Sequence, residues 1–114
     1  MSADHERVIS TAILPTLDME AAVAFYGDLG FTVDRFAADY ALVIHHGHEV
    51  LHLAASDTRA QGIVYLNVSD VDGWHERCAQ AGYSPGQVED RSWGMREFSV
   101  LDPSGNTLRI GANR

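Results

Sequence analysis

Residues 48–52 read HEVLH. Two imidazoles four positions apart, with a glutamate between them, spell the zinc-metalloprotease pattern in which both histidines hold the ion and the acid serves as base. His45 and His46 lie just upstream, so the stretch carries four of the six histidines in the chain. Whether it can do that chemistry depends on the backbone beneath it. On a helix, residues four apart are separated by about 6 Å of rise and share a face, so two rings can meet on one ion. On a strand, His48 and His52 also share a face but stand about 13 Å apart, at ~3.3 Å per residue. One zinc, with bonds of about 2 Å, cannot be reached by both.

An internal repeat decides between the two. Residues 18–31 read DMEAAVAFYGDLGF and residues 70–83 read DVDGWHERCAQAGY, so Asp18, Gly30 and Phe31 return as Asp70, Gly82 and Tyr83. Each copy reads as a helix with its punctuation. The aspartate accepts a backbone N–H of the first turn, and the glycine takes the left-handed conformation that ends the last. Ala22, Phe25, Tyr26 and Leu29 fall on one stripe of the first helix, and Val71, Trp74, Cys78 and Ala81 on one stripe of the second. A β-branched or aromatic run precedes each helix, VISTAILPT (8–16) and GIVYLNVS (62–69), and shorter extended runs follow. Those are FTVDRF, YALVIH and EVLHLAA in the first half, and REFSVL and NTLRIG in the second, with YSPGQVED as a weaker candidate interrupted by Pro85. Glycine-containing turns, HHGHE and DPSGN, join the last two strands of each half. The reading is α+β: two tandem βαβββ modules, about 7–56 and 61–112 of a single domain over 1–114, forming a curved mixed sheet with helices outside. HEVLH then lies on a hairpin strand, and the metalloprotease reading fails on geometry.

Composition narrows the function further. The chain has 114 residues, 46% of them hydrophobic and 21% charged, as in soluble globular proteins. No apolar run approaches the ~20 residues that span a bilayer, which argues against a membrane partner. The opening MSADHERVIS lacks the basic and apolar regions of a secretory signal. The one cysteine, Cys78, allows no internal disulfide, so the expected location is cytoplasmic. Eight arginines and no lysine stand against sixteen acidic side chains, for a net charge of -8. Such a field repels nucleic acid and favours a positively charged small molecule, although an acidic balance also serves solubility alone.

The duplicated plan, with AVAFYGDLGF after the first strand and WGMREFSVLDPSGN before the last, resembles the vicinal oxygen chelate superfamily of glyoxalases, extradiol dioxygenases and bleomycin-resistance proteins. D-P-x-G-N is shared widely across that superfamily and says little about activity. The tryptophan-glycine pair before R-E-F is more specific and resembles the bleomycin-resistance branch. The superfamily's enzymes draw up to four metal ligands from the first and last strands of each half, which the resemblance places at Thr11, His52, roughly Val64, and Arg109. Only His52 is a ligand type, and a guanidinium opposes a divalent ion. The implied protein is therefore no enzyme, with no catalytic residue, cofactor or metal of its own. It implies a homodimer that sequesters a bleomycin-type antibiotic, bare or as its metal complex, in two clefts at the subunit interface. The alternatives are a metal-dependent enzyme of the lyase or thiol-transferase type, and a binder of another aromatic antibiotic such as mitomycin.

A flat cationic drug calls for aromatic faces and negative potential. The resemblance assigns ligand binding to Phe36, Tyr40, His52, Tyr65, Asn67 and Trp93. Phe36 and Tyr40 flank a strand start where rings are ordinarily core, and the Ile63–Tyr65–Asn67 alternation equally describes a surface tyrosine. Trp93, in the polar loop EDRSWGMRE, has few structural reasons to be there. Arg96 and Glu97 either pair across strands or shape the cleft. Pro15 interrupts the first strand, and in the resistance branch a proline near this place accompanies an N-terminal strand exchanged between subunits.

Overall fold

A computed structural model describes residues 6–58 and 61–113. The expected domain over 1–114 runs past these residues at both ends. The first half contains β1 (Ala12–Thr16), α1 (Met19–Asp28), β2 (Thr32–Ala37), β3 (Tyr40–His45) and β4 (His48–Ala55). The second contains β5 (Ile63–Asn67), α2 (Val71–Gln80), β6 (Glu89–Asp90), β7 (Met95–Leu101) and β8 (Thr107–Asn113). Each half builds a four-stranded mixed sheet, in the orders β1-β4-β3-β2 and β5-β8-β7-β6. The first and last strands of each half run parallel side by side, and the hairpins are antiparallel.

The helix punctuation acts as the repeat predicts. Asp18 accepts the Ala21 N–H at 3.1 Å, Asp70 accepts the Gly73 N–H at 3.0 Å, and Gly30 and Gly82 hold φ of 101° and 88°. Ala22, Phe25, Tyr26 and Leu29 are all buried. In α2 the stripe is narrower. Val71 and Cys78 are buried and Trp74 half-buried, but Ala81, the helix C-cap, is exposed, whereas Leu29 at the matching place in α1 is buried. The predicted strands are trimmed where pairing stops: β1 begins at Ala12 rather than residue 8, and YSPGQVED contributes only Glu89–Asp90. Pro15 does not interrupt β1. It pairs with Ala54 on an edge strand, a place in a sheet where proline is tolerated.

The halves join through a hub in DPSGN. Asp102, buried, accepts from the Ser104 and Asn106 N–H groups, both at 2.9 Å, and from the Tyr26 hydroxyl of α1 at 2.8 Å. Burial first, then the Asp102 carboxylate, push the Tyr26 phenol far above its ordinary range. The Asn106 amide donates to the Pro15 carbonyl and accepts the Gly62 N–H, tying β1 to the start of β5. Phe25 against Tyr83 and Phe31 against Trp74 complete the seam, with centroids 4.6 and 5.3 Å apart. D-P-x-G-N is thus a structural clamp, which explains why it says little about activity.

Candidate ligand-binding faces

Strand alternation gives each sheet one face turned to the core and one left open. In the first sheet Leu14, Leu51, Leu53, Ala41 and Val43 are buried. Ile13, His52 and Leu42 stand in register on the other side, with Tyr40 one pair further along. In the second, Leu108, Ile110, Phe98 and Val100 are buried, and Tyr65, Arg109 and Ser99 stand in register opposite, with Glu97 alongside.

HEVLH lies on β4, as the repeat requires, and His52 is fully engaged. Its Nδ1 lies 2.6 Å from the Tyr40 hydroxyl and its Nε2 2.6 Å from the Glu49 carboxylate. In the second sheet Glu97 is 1% exposed although it sits on the open face, because three side chains cover it. Arg109 donates to it twice, from Nε at 3.1 Å and from Nη2 at 2.5 Å, and the Tyr65 hydroxyl donates at 3.1 Å. Arg91 stands 3.8 Å away. Burial alone raises the Glu97 carboxyl's affinity for its proton, but the bonds from Arg109 and Tyr65 and the two guanidinium charges win and hold it below the ordinary carboxylate value. Burial and the Glu97 carboxylate in turn raise the Tyr65 phenol.

The Tyr65 ring reaches Glu97 by crossing β8 over Gly111. A Cβ at Gly111 would stand 2.9 Å from the Glu97 Cβ and inside contact distance of the Tyr65 hydroxyl. The glycine is there to let the ring lie down. Arg109 also stacks its guanidinium on the Tyr65 ring, 5.6 Å from the centroid.

The register bears on two of the four positions that the resemblance assigned to metal ligands. Ile13, not Thr11, pairs with His52, since Thr11 precedes β1. Tyr65, not Val64, pairs with Arg109, and Val64 pairs with buried Leu108 on the core side. The open-face residues paired at these strands are Ile13, His52, Tyr65 and Arg109. An alkyl chain, a guanidinium, a phenol committed to a carboxylate and an imidazole with both nitrogens bonded do not fit a divalent ion. Among the described residues no group of three or more His, Cys, Asp or Glu gathers into a metal site.

The six residues that the resemblance assigns to ligand binding divide between the sheets. Tyr40 and His52 touch one another on the first, and Tyr65 and Asn67 line the second. Phe36 is 72% exposed in the bulged stretch of β2, and Trp93 is 60% exposed at the tip of the β6–β7 hairpin, with Arg91 over its ring at 5.7 Å. A cavity of about 580 Å³ between the halves takes in Tyr65 and Asn67, with Phe31, His45, Val50 and Trp74, and leaves the other four outside. Sequence reading missed Glu49 as the partner of His52 and missed the buried state of Glu97. Their sequence signal was a glutamate three residues before a strand histidine, and a lone acid on a strand whose neighbours carry arginines.

The family model for the Glyoxalase/Bleomycin resistance protein/Dioxygenase superfamily matches residues 8–110. The chain belongs to that superfamily. Among solved structures, the bleomycin-binding protein of bleomycin-producing Streptomyces verticillus, complexed with copper(II)-bleomycin, is 28% identical with a TM-score of 0.81, covering 96% of this chain and 98% of that one. A bleomycin resistance determinant encoded on the transposon Tn5 is 22% identical with a TM-score of 0.83, covering 95% and 99%. The lactoylglutathione lyase of Agrobacterium tumefaciens is 21% identical with a TM-score of 0.79, covering 94% of each chain. No sequence among curated proteins matches. The superfamily thus supplies both drug binders and enzymes on this fold.

Proposed function

We propose that this member of the superfamily binds a flat, cationic antibiotic of the bleomycin type and sequesters it unaltered, using Phe36, Tyr40, His52, Tyr65, Asn67 and Trp93. The observation that carries the reading is the make-up of the four former ligand positions. Three cannot hold a metal, and the fourth, His52, is closed on both sides by Tyr40 and Glu49. The structural likeness to a protein that holds copper(II)-bleomycin supports the ligand class. The expected negative potential falls on the first sheet, where Glu49 is half-exposed, because Arg109 and Arg91 neutralise Glu97 on the second.

The working unit in this reading is a homodimer. β1 and β5 are edge strands, and their open-face residues Ile13 and Ile63 are 58% and 71% exposed. Ahead of β1, Val8 and Ile9 are exposed too. Unpaired edges with apolar side chains favour a second chain that covers them and brings one copy's first sheet to the other's second.

Isothermal titration with metal-free and copper-bound bleomycin tests the ligand. Binding at micromolar protein, with quenching of Trp93 fluorescence and at least a tenfold loss in Trp93→Ala, is the expected result. No heat and no quenching would sink this reading. Sedimentation should show two chains per particle at the same concentration.

His52 keeps one family ligand position, which favours a metal-dependent lyase or thiol transferase as the second reading. Stoichiometric zinc, manganese or nickel in purified protein, lost in His52→Ala, would establish it instead.

A further inference from the structure

We propose that Glu49 and His52 fix the hydrogen-bonding polarity of Tyr40, so that its hydroxyl faces the ligand as an acceptor and selects ligands that present N–H donors of the ammonium, guanidinium or amide class. The inference deepens the ligand-binding reading above and rests on it.

The argument follows the protons. An ionised Glu49 carboxylate only accepts, so the His52 Nε2 at 2.6 Å must carry a proton. A neutral imidazole has one N–H, and with that at Nε2 its Nδ1 presents a lone pair. The Tyr40 hydroxyl, 2.6 Å away, must then donate to Nδ1. Its single proton is spent inside the fold, and only its lone pairs remain for anything arriving at the open face. The opposite tautomer would set the Nε2 lone pair against the carboxylate. His52 is thus a positioning residue, and Glu49 acts through it.

The other sheet reaches the same polarity by a different route. Tyr65 donates its hydroxyl proton to Glu97, whose second oxygen is held by Arg109. Both open-face phenols are therefore acceptors. A ligand bearing only acceptors finds no O–H proton to meet at either, whereas a cationic amine or guanidine meets a ready lone pair at both. This selection by proton placement explains how a site can prefer a cation while arginines stand beside it.

The test uses protein carrying ¹³C-labelled tyrosine and ¹⁵N-labelled histidine at pH 8, above the ordinary range of histidine titration. Long-range ¹⁵N–¹H spectra should show His52 protonated at Nε2 and bare at Nδ1; a protonated Nδ1 overturns the proposal. Titration with methylguanidinium should shift the Tyr40 and Tyr65 ring signals at least tenfold more per unit concentration than acetate does. Equal response to both, or no response to either at 100 mM, also overturns it. His52→Phe frees the Tyr40 proton, so acetate should then perturb Tyr40 as strongly as methylguanidinium while Tyr65 keeps its preference. Should bleomycin fail to bind while this preference holds, the drug reading falls and the polarity assignment stands.

Discussion

The same two positions are filled by different chemistry in the two halves. Tyr40 and His52 sit diagonally across the β3–β4 ladder of the first sheet, and Glu97 and Arg109 occupy the corresponding diagonal of β7 and β8 in the second. In the first half the diagonal holds a phenol on an imidazole, partly open. In the second it holds a carboxylate under a guanidinium, with the acid sealed from water. A duplicated scaffold keeps the geometry of its face while the groups on it diverge.

The contrast can be broken at several points. The largest expected effect is Glu97→Ala, which leaves Arg109 facing Arg91 without the acid between them. Losing the charge-assisted bonds from Arg109 and the bond from Tyr65 costs about 2–3 kcal/mol, since Arg109 is 37% exposed and can turn to water, readable as a lower midpoint in urea, whereas Tyr40→Phe in the first half costs about 1 kcal/mol. Equal losses would mean that the two diagonals are energetically alike. Gly111→Ala comes next: the added methyl meets Tyr65 and Glu97, and overpacking of this kind costs about 1–3 kcal/mol. Its counterpart in the first sheet, Ala54, already carries a methyl opposite Tyr40. A crystal structure of Gly111→Ala should show the Tyr65 ring lifted from β8.

Acid separates the halves more gently. Since Glu97 has its carboxyl held below the ordinary value in the folded chain, its contribution is complete above the unfolded carboxylate range. It fades as pH falls below about 4.5 towards the folded value. Glu97→Gln should remove that part of the acid sensitivity, seen as a shallower loss of thermal midpoint between about pH 4.5 and pH 3. The smallest effect is Arg96→Ala. Its bonds to Asp72 and Asp90 are exposed, and such pairs contribute about 0–1 kcal/mol.

Much of this plan was legible in the sequence. Asp18 and Gly30 against Asp70 and Gly82 announce two capped helices, and placing HEVLH on a strand followed from the repeat. Pairing register was not legible. A shift of two, from Ile13 to Thr11, keeps the face, but a shift of one, from Tyr65 to Val64, turns an open-face residue into a core one. Which shift is real depends on contacts between strands that no single strand encodes. The exposure of Ala81 was not legible either, since Leu29 at the matching C-cap of α1 is buried. The partners of His52 and Glu97 were hidden because they come from side-chain reach across the sheet.

The Asp102 hub bears on whether the repeat can be cut. Tyr26 comes from one half and Asp102 from the other; without Asp102 the buried phenol would be stranded, while Asp102 would keep only the bonds from Ser104 and Asn106 of its own half. A fragment ending after β4 would expose Phe25 and leave Tyr26 without its acceptor. The two halves are therefore not spare copies but complements, and an ancestor made of one half would have needed a second chain to supply the missing carboxylate.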